Sequence, residues 1–375
     1  PNAQLGNQHM LSYNKAWVEM LLPTWRWHLY AFPVHGTVSG DMYVPLDNYA
    51  DAVPFSSGGD CDNRTVYYFA QSLFNRSVSN MYESGQQVDI TSVTWSAPAN
   101  AMNVSYPVGT GAALWVYNSS NFDDQNIVVR LPKDATRYNY YYNTGQVSGS
   151  YEDVARPANH GRLGFEPTFG TDTAMTITLT NNTDGKLFML GNPAMSTLDL
   201  QQFFAENDDV FTGTFYRIPD TEGSDMMDME ACTKYTVDAY NGYLLPFRSI
   251  LAETINETTS IEAKFTPSMF KVNRDFVYGS VSPPVTPTPM PIRRTHAKRT
   301  AEQSQIAMLQ IDALCNDYYS TLLLGETAEA SDDVVPGEDA ELITFADKYM
   351  ETASAHTAIY TKADDKPLSV NVMDK

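Results

Sequence analysis

Several stretches of this chain alternate apolar and polar residues with a period of two, the spacing of a strand with one buried face. The clearest is Met175-Thr176-Ile177-Thr178-Leu179-Thr180. Asn181, Asn182, Asp184 and Gly185 follow with turn chemistry, and Lys186-Leu187-Phe188-Met189-Leu190 returns as a second strand, so the pattern predicts a hairpin. Further strands are predicted over 88–95, 112–117, 127–131, 138–142, 210–218 and 235–240. The stretch 17–30 holds Trp17, Trp25 and Trp27 and runs into Pro33, Gly36 and Gly40, which suits strands and turns better than one helix. One short helix is predicted, with Ser196 and Asp199 as a capping box ahead of the apolar run 200–205.

The pattern breaks between 282 and 300. Pro283, Pro284, Pro287, Pro289 and Pro291 prevent regular pairing, and Arg293, Arg294, His296, Lys298 and Arg299 follow at once. Beyond this connector, 305–313 and 318–324 read as paired strands around a turn at Asn316-Asp317, and 368–372 as another strand. The segment 325–375 carries twelve acids against four bases, which predicts a solvated, loop-rich face. The expected fold class is therefore all-β with minor α. A β-sandwich or jelly-roll-like domain spans 1–281, a Pro-rich and basic linker 282–300, and the opening of a second β-sandwich domain 301–375. The abrupt start and the strand running into the last residues read as a piece of a longer polypeptide.

Composition narrows the partners. Tyrosine is abundant, at 23 residues, which favours pleated surfaces. The formal net charge of −21 repels polyanions, so no nucleic-acid partner is expected. No run approaches the ~18 apolar residues of a membrane helix, so no membrane span is expected within the chain. Cys61, Cys232 and Cys315 have no CxxC spacing and are an odd number, so at most one disulfide is expected and buried thiols are favoured.

Catalytic signatures are sparse. The six histidines form no His-Glu-x-x-His pair, Gly-x-Ser-x-Gly is absent, and Gly109-Thr110-Gly111 lacks the third glycine of a dinucleotide loop. Glu83, Glu152, Asp153 and Glu166 lie near aromatics and are the acids to inspect for a glycosidase pair. Asp60, Asp62, Asp123 and Asp124 offer oxygen ligands of the kind calcium prefers, though without EF-hand spacing, so calcium is the one candidate ion and no other cofactor is expected. Trp25, Trp27 and Trp95 are the candidate ligand-binding residues, as an aromatic platform for carbohydrate, set against the commoner burial of such rings in a core.

Four segments resemble recurrent motifs of large Bacteroidota cell-surface proteins, of the kind exported by the type IX secretion system. They are 27–34 with Gly40-Asp41-Met42-Tyr43, the run Leu190-Gly191-Asn192-Pro193-Ala194-Met195-Ser196-Thr197-Leu198-Asp199, the run 243–251 with 264–269, and Glu338-Asp339-Ala340 with 359–361 and 368–371. The usual glutamine of the third motif is replaced by Arg248. The resemblance implies an extracellular, outer-surface location, a signal peptide upstream and further sandwich sequence downstream. Asp172-Thr173-Ala174 matches the O-glycosylation pattern of that phylum, which makes Thr173 a candidate modification site. Two functions follow as expectations. The first is a surface binding or architectural module whose partner is a glycan, a host surface or another surface protein. The alternative is a part, catalytic or not, of a secreted carbohydrate-active enzyme or peptidase.

Overall fold

A computed structural model of the chain describes residues 12–23, 26–38, 41, 66–70, 74–83, 86–95, 105–116, 126–132, 137–140, 150–153, 156–166, 173–218, 229–237, 242–271, 306–315, 318–345 and 359–374. In chain order their strands are β1 (Val18–Pro23), β2 (Arg26–Ala31), β3 (Val66–Ala70), β4 (Phe74–Glu83), β5 (Gln86–Trp95), β6 (Gly111–Val116), β7 (Asn126–Leu131), β8 (Arg137–Tyr140), β9 (Ser150–Asp153), β10 (Met175–Gly191) and β11 (Thr197–Asp199). The helix α1 (Leu200–Glu206) follows, then β12 (Phe211–Arg217), β13 (Glu230–Cys232), β14 (Tyr243–Leu244), β15 (Ser249–Phe265), β16 (Phe270–Lys271), β17 (Ala307–Cys315), β18 (Tyr318–Glu326), β19 (Ala340–Glu341), β20 (Ile343–Phe345), β21 (Thr361–Ala363) and β22 (Lys366–Met373). The fold is all-β and sandwich-like, with α as the minor part.

Its centre is the sheet β10-β15-β12-β13, built on two strands of 17 residues each, β10 and β15. Here the expected hairpin is corrected. Residues 175–180 and 186–190 are halves of one strand, and both pair with β15: Met175 to Thr180 against Phe265 to Ser260, and Leu187 to Gly191 against Glu253 to Ser249. The polar insert between them is absorbed by register shifts on either side of Gly185, and Asn181 Nδ2 donates to the Leu187 carbonyl at 2.8 Å. Bulges take up extra residues without reversing the chain, and a partner long enough to pair both halves removes the need for a turn.

The two halves of β10 differ in burial. Ile177 and Leu179 are buried while Thr176, Thr178 and Thr180 face solvent, as one covered face requires. Leu187, Phe188, Met189 and Leu190 are all buried, alternately in two different cores. A strand covered on both faces reads as a continuous apolar run.

The inner core holds Phe188, Leu190, Phe203, Phe204, Phe211, Phe215, Phe265 and Phe270, closed by α1 and the small sheet β14-β11-β16. The ring of Phe203 lies 5.1 Å from that of Phe265 and 5.5 Å from that of Phe211, in tilted contact. Asp199 alone caps α1, accepting from the Gln202 N–H at 3.1 Å. Ser196 does not take part in a capping box, because Thr197–Asp199 is already committed to β11.

The outer core packs Leu187, Met189, Tyr216, Ala231 and Leu251 from the central sheet, with Leu29 of β2 and Ala113 of β6, against Leu323, Ala340, Ile343, Val370 and Val372. Segments from both sides of the connector therefore share one core. The sheet β17-β18-β22-β19 supplies this layer, and β20 pairs in parallel with β5, Ile343 opposite Thr91. The connector itself lies outside the described residues. The predicted loop-rich character of 325–375 is corrected: it contributes β19 to β22, and Glu338 and Asp339 are buried. The strand predicted over 235–240 is also corrected over its described part, since residues 234–236 form a turn. There Thr233 accepts from the Tyr235 N–H through its hydroxyl, and its carbonyl takes the Thr236 and Val237 N–H groups at 3.0 Å each, local bonds that compete with a ladder.

Candidate functional site

The polar residues of the motifs are consumed in holding chain segments together. Asn192 is buried and fully engaged: its Nδ2 donates to the carbonyls of Ser196 (2.9 Å) and Leu244 (2.8 Å), and its Oδ1 accepts from the Ala194 N–H (2.9 Å). Gly191 is required beside it, because a Cβ there would stand 2.6 Å from both the Ala31 Cβ and the Thr110 carbonyl oxygen. Asp41 sits in a second knot. Its carboxylate accepts from the Val38 N–H at 3.0 Å, pairs with Arg156 at 2.6 Å and lies 3.4 Å from His160 Nε2.

The Asp41–His160 pair has the composition of an acid–base couple but a closed geometry. Burial pushes the Asp41 carboxyl up, against the pull of the Val38 N–H and Arg156. Burial pushes the His160 imidazole down, opposed by Asp41 and reinforced by Arg156 and Lys15. Arg156 occupies the carboxylate and the side chains of Asp41 and His160 are shut from solvent, so the pair clamps residues 34–38 and 41 against the segment 156–166. Backbone bonds run through the same clamp, His35 N–H to the Arg162 carbonyl (2.8 Å) and Gly161 N–H to the His35 carbonyl (3.1 Å).

A third cluster ties the C-terminal layer to the central sheet. Asp339 accepts from Val335 N–H (2.8 Å) and Val372 N–H (2.9 Å). Glu338 pairs with Lys234 at 2.7 Å and accepts from the Ser331 N–H at 3.1 Å. Gly337, at φ +90°, donates to the Thr214 hydroxyl at 2.9 Å, and a Cβ on it would stand 2.3 Å from the Thr212 carbonyl oxygen. Tyr216 completes the seam by donating to the Glu341 carbonyl at 3.1 Å.

An open surface lies on the ribbon β1–β7, which pairs antiparallel with Leu21 opposite Val128 and Glu19 opposite Arg130. Period two sorts β1 cleanly. Val18, Met20 and Leu22 are buried, while Trp17, Glu19 and Leu21 point outward. Trp17 is 55% exposed, Leu21 50% and Val128 36%, with the Glu19–Arg130 pair between Trp17 and the other two along the same outward face. Arg130 forms an ion pair with Glu19 beside it, and the Lys15 ammonium stands 5.9 Å from the Trp17 ring centroid. The chain ahead of Trp17 is anchored: the Ala16 N–H donates to the Gly161 carbonyl at 2.8 Å, the Tyr13 hydroxyl donates to Glu166, and Arg162 stacks 4.0 Å over the Tyr13 ring. This face therefore stands on a braced edge.

The structure places few of the residues expected from sequence. Trp25 lies outside the described residues, and so do Asp60, Asp62, Asp123, Asp124 and Cys61. Trp27 and Trp95 are located by backbone alone, Trp27 in β2 opposite Trp115 of β6 and Trp95 at the end of β5 opposite Phe74. Among the described residues no group of three or more His, Cys, Asp or Glu side chains is placed to hold a metal ion. Likewise, among them no helix is long and apolar enough to cross a membrane. Thr173 is exposed just ahead of β10, Cys232 is buried, and Cys315 ends β17. Glu83, Glu152 and Asp153 are strand residues located by backbone, and Glu166 is bound by Tyr13 and Arg162. Sequence reasoning named Trp17 only within the tryptophan cluster and passed over Glu19 and Leu21, although their two-residue spacing against Val18, Met20 and Leu22 marks an outward face. No protein-family model, curated protein or solved structure matches the chain.

Proposed function

We propose that the chain is an extracellular surface-binding module of the kind found in large bacterial cell-surface proteins, and that the outward face of β1–β7 is its glycan platform. The observation that carries this reading is Trp17, a large ring more than half exposed just ahead of β1, with Glu19, Arg130, Leu21 and Val128 following on the outward face while the other face of β1 is locked in the core. A braced aromatic ring offers apolar area to the flat face of a sugar at little entropic cost. Glu19 supplies acceptors and Arg130 donors within reach of the same surface, matching the mixed hydroxyls of a saccharide. The net charge of −21 turns away polyanions, so neutral glycans are the expected ligand class.

The architectural alternative is supported by the way the motif side chains are used, since Asn192, Asp41 and Asp339 each bind backbone rather than face a cleft. A neutral-glycan array followed by calorimetric titration separates the two. Binding is expected to fall at least tenfold in Trp17→Ala and less in Leu21→Ala, with the melting temperature unchanged in both. Unaltered glycan binding in Trp17→Ala, or no binding to any glycan by the intact chain, overturns the platform and leaves the architectural reading.

A further inference from the structure

The platform does not use the strand at the opposite end of the chain, and that strand has its own unfilled side. Among the described residues β17 pairs with β18 only, so one edge of the sheet β17-β18-β22-β19 carries backbone donors and acceptors without a neighbouring strand. Edge strands are ordinarily protected by lysine, proline, bulges or shortness. β17 is nine residues long, contains neither lysine nor proline, and keeps an unshifted register with β18 from Ala307 opposite Glu326 to Cys315 opposite Tyr318. Its outer face is apolar at Ala307, Leu309, Ile311 and Ala313, and Leu309 is 57% exposed.

We propose that β17 is a homodimerisation edge, pairing antiparallel with β17 of a second copy about a two-fold axis at Ile311. The occupant is a second copy because the strand is complementary to its own reverse. With Ile311 opposite its counterpart, Gln310 of each copy faces Asp312 of the other, and Leu309 faces Ala313. The amide–carboxylate contact is one this strand already makes internally, Gln310 Nε2 to the Asp312 carboxylate at 2.8 and 3.0 Å. Across the dimer it is made twice, directly opposite, where cross-strand pairs interact most. The two exposed Leu309 side chains are covered at the same time, and a partner strand satisfies the edge donors and acceptors along the sheet. Each copy carries −21, so the dimer tightens as salt is added.

Sedimentation equilibrium of the full chain over a concentration series tests this, with two single substitutions of opposite expected sign. Gln310→Glu sets like charges face to face at two places and is expected to weaken the dimer about tenfold; Gln310→Lys sets opposite charges there and is expected to tighten it by a similar factor. The substituted position is on the edge strand, so circular dichroism and the melting temperature are expected to stay as in the parent chain in both variants. A chain that is monomeric at every concentration overturns the proposal, as does a dimer that the two substitutions leave unmoved or move in the same direction. Capture of a foreign extended peptide by a chain that stays monomeric also overturns it, and assigns the edge to another protein.

Discussion

The two cores of this molecule are built on opposite faces of one sheet and are held by different means. The inner core is dominated by phenylalanine and drawn from a nearly continuous stretch of chain, from Phe165 to Phe270. The outer core is more aliphatic and joins segments as distant as Leu29 and Val372. It is rimmed by polar stitches, Glu338 to Lys234, Asp339 to Val335 and Val372, and Gly337 to Thr214. Apolar burial is non-directional, whereas hydrogen bonds fix register. The inner core thus supplies stability, and the outer core adds the polar addresses that dock a remote segment in one place.

Breaking either core separates these roles. Phe203→Ala removes a fully buried ring that touches Phe265 and Phe211, and is expected to cost about 4 kcal/mol, with protection from hydrogen exchange falling in both layers together. Asp339→Ala orphans the Val335 and Val372 N–H groups and is expected to cost about 3 kcal/mol, confined to the outer layer. Gly337→Ala combines a left-handed backbone with a Cβ pressed on the Thr212 carbonyl, and limited proteolysis is expected to cut first in 327–345.

A smaller effect is expected at the clamp of residues 34–38 and 41 against 156–166. His160 is held below its ordinary value of 6.5, so its contribution is intact above that pH and is lost as pH falls through the folded value. Asp41, raised by burial, works in the opposite direction, favouring the folded state at lower pH as it takes up its proton. Replacing the histidine separates the two contributions. Exchange at the His35 and Gly161 amides, corrected for intrinsic rates, is expected to quicken on going from pH 7.5 to about 5.5, and His160→Gln to flatten that dependence. The smallest expected effect is Trp17→Ala on stability, within about 0.5 kcal/mol, since an exposed ring leaves no cavity.

The strand character of the chain was legible from alternation alone, in β5, β6, β7, β8, β12, β17 and β18, and so was the helix that Asp199 caps. The pairing was not. Asn181 to Gly185 carries every local sign of a turn, yet the choice of partner for 175–190 depends on β15, some seventy residues away, which offers a strand of matching length. Where the second layer lies was written in the chain in another form: alternation in 175–180 gives way to the unbroken apolar run 187–190, the mark of a sheet covered on both faces. The acidic C-terminal segment misled because charge counts do not distinguish a solvated carboxylate from Asp339, whose oxygens are spent on backbone N–H groups. The proposed platform was hidden for a related reason: the cluster of three tryptophans drew notice as a group, while the alternation around Trp17 singles out one ring.

The two-layer account is tested most directly by residue-level hydrogen exchange on Asp339→Ala beside the parent chain. The expected result is lost protection across Ala340, Glu341 and 368–373, with the amides of 175–180 and 249–265 unchanged. Equal loss in both sets contradicts it, because the outer layer is then no separate docking unit but part of one undivided core.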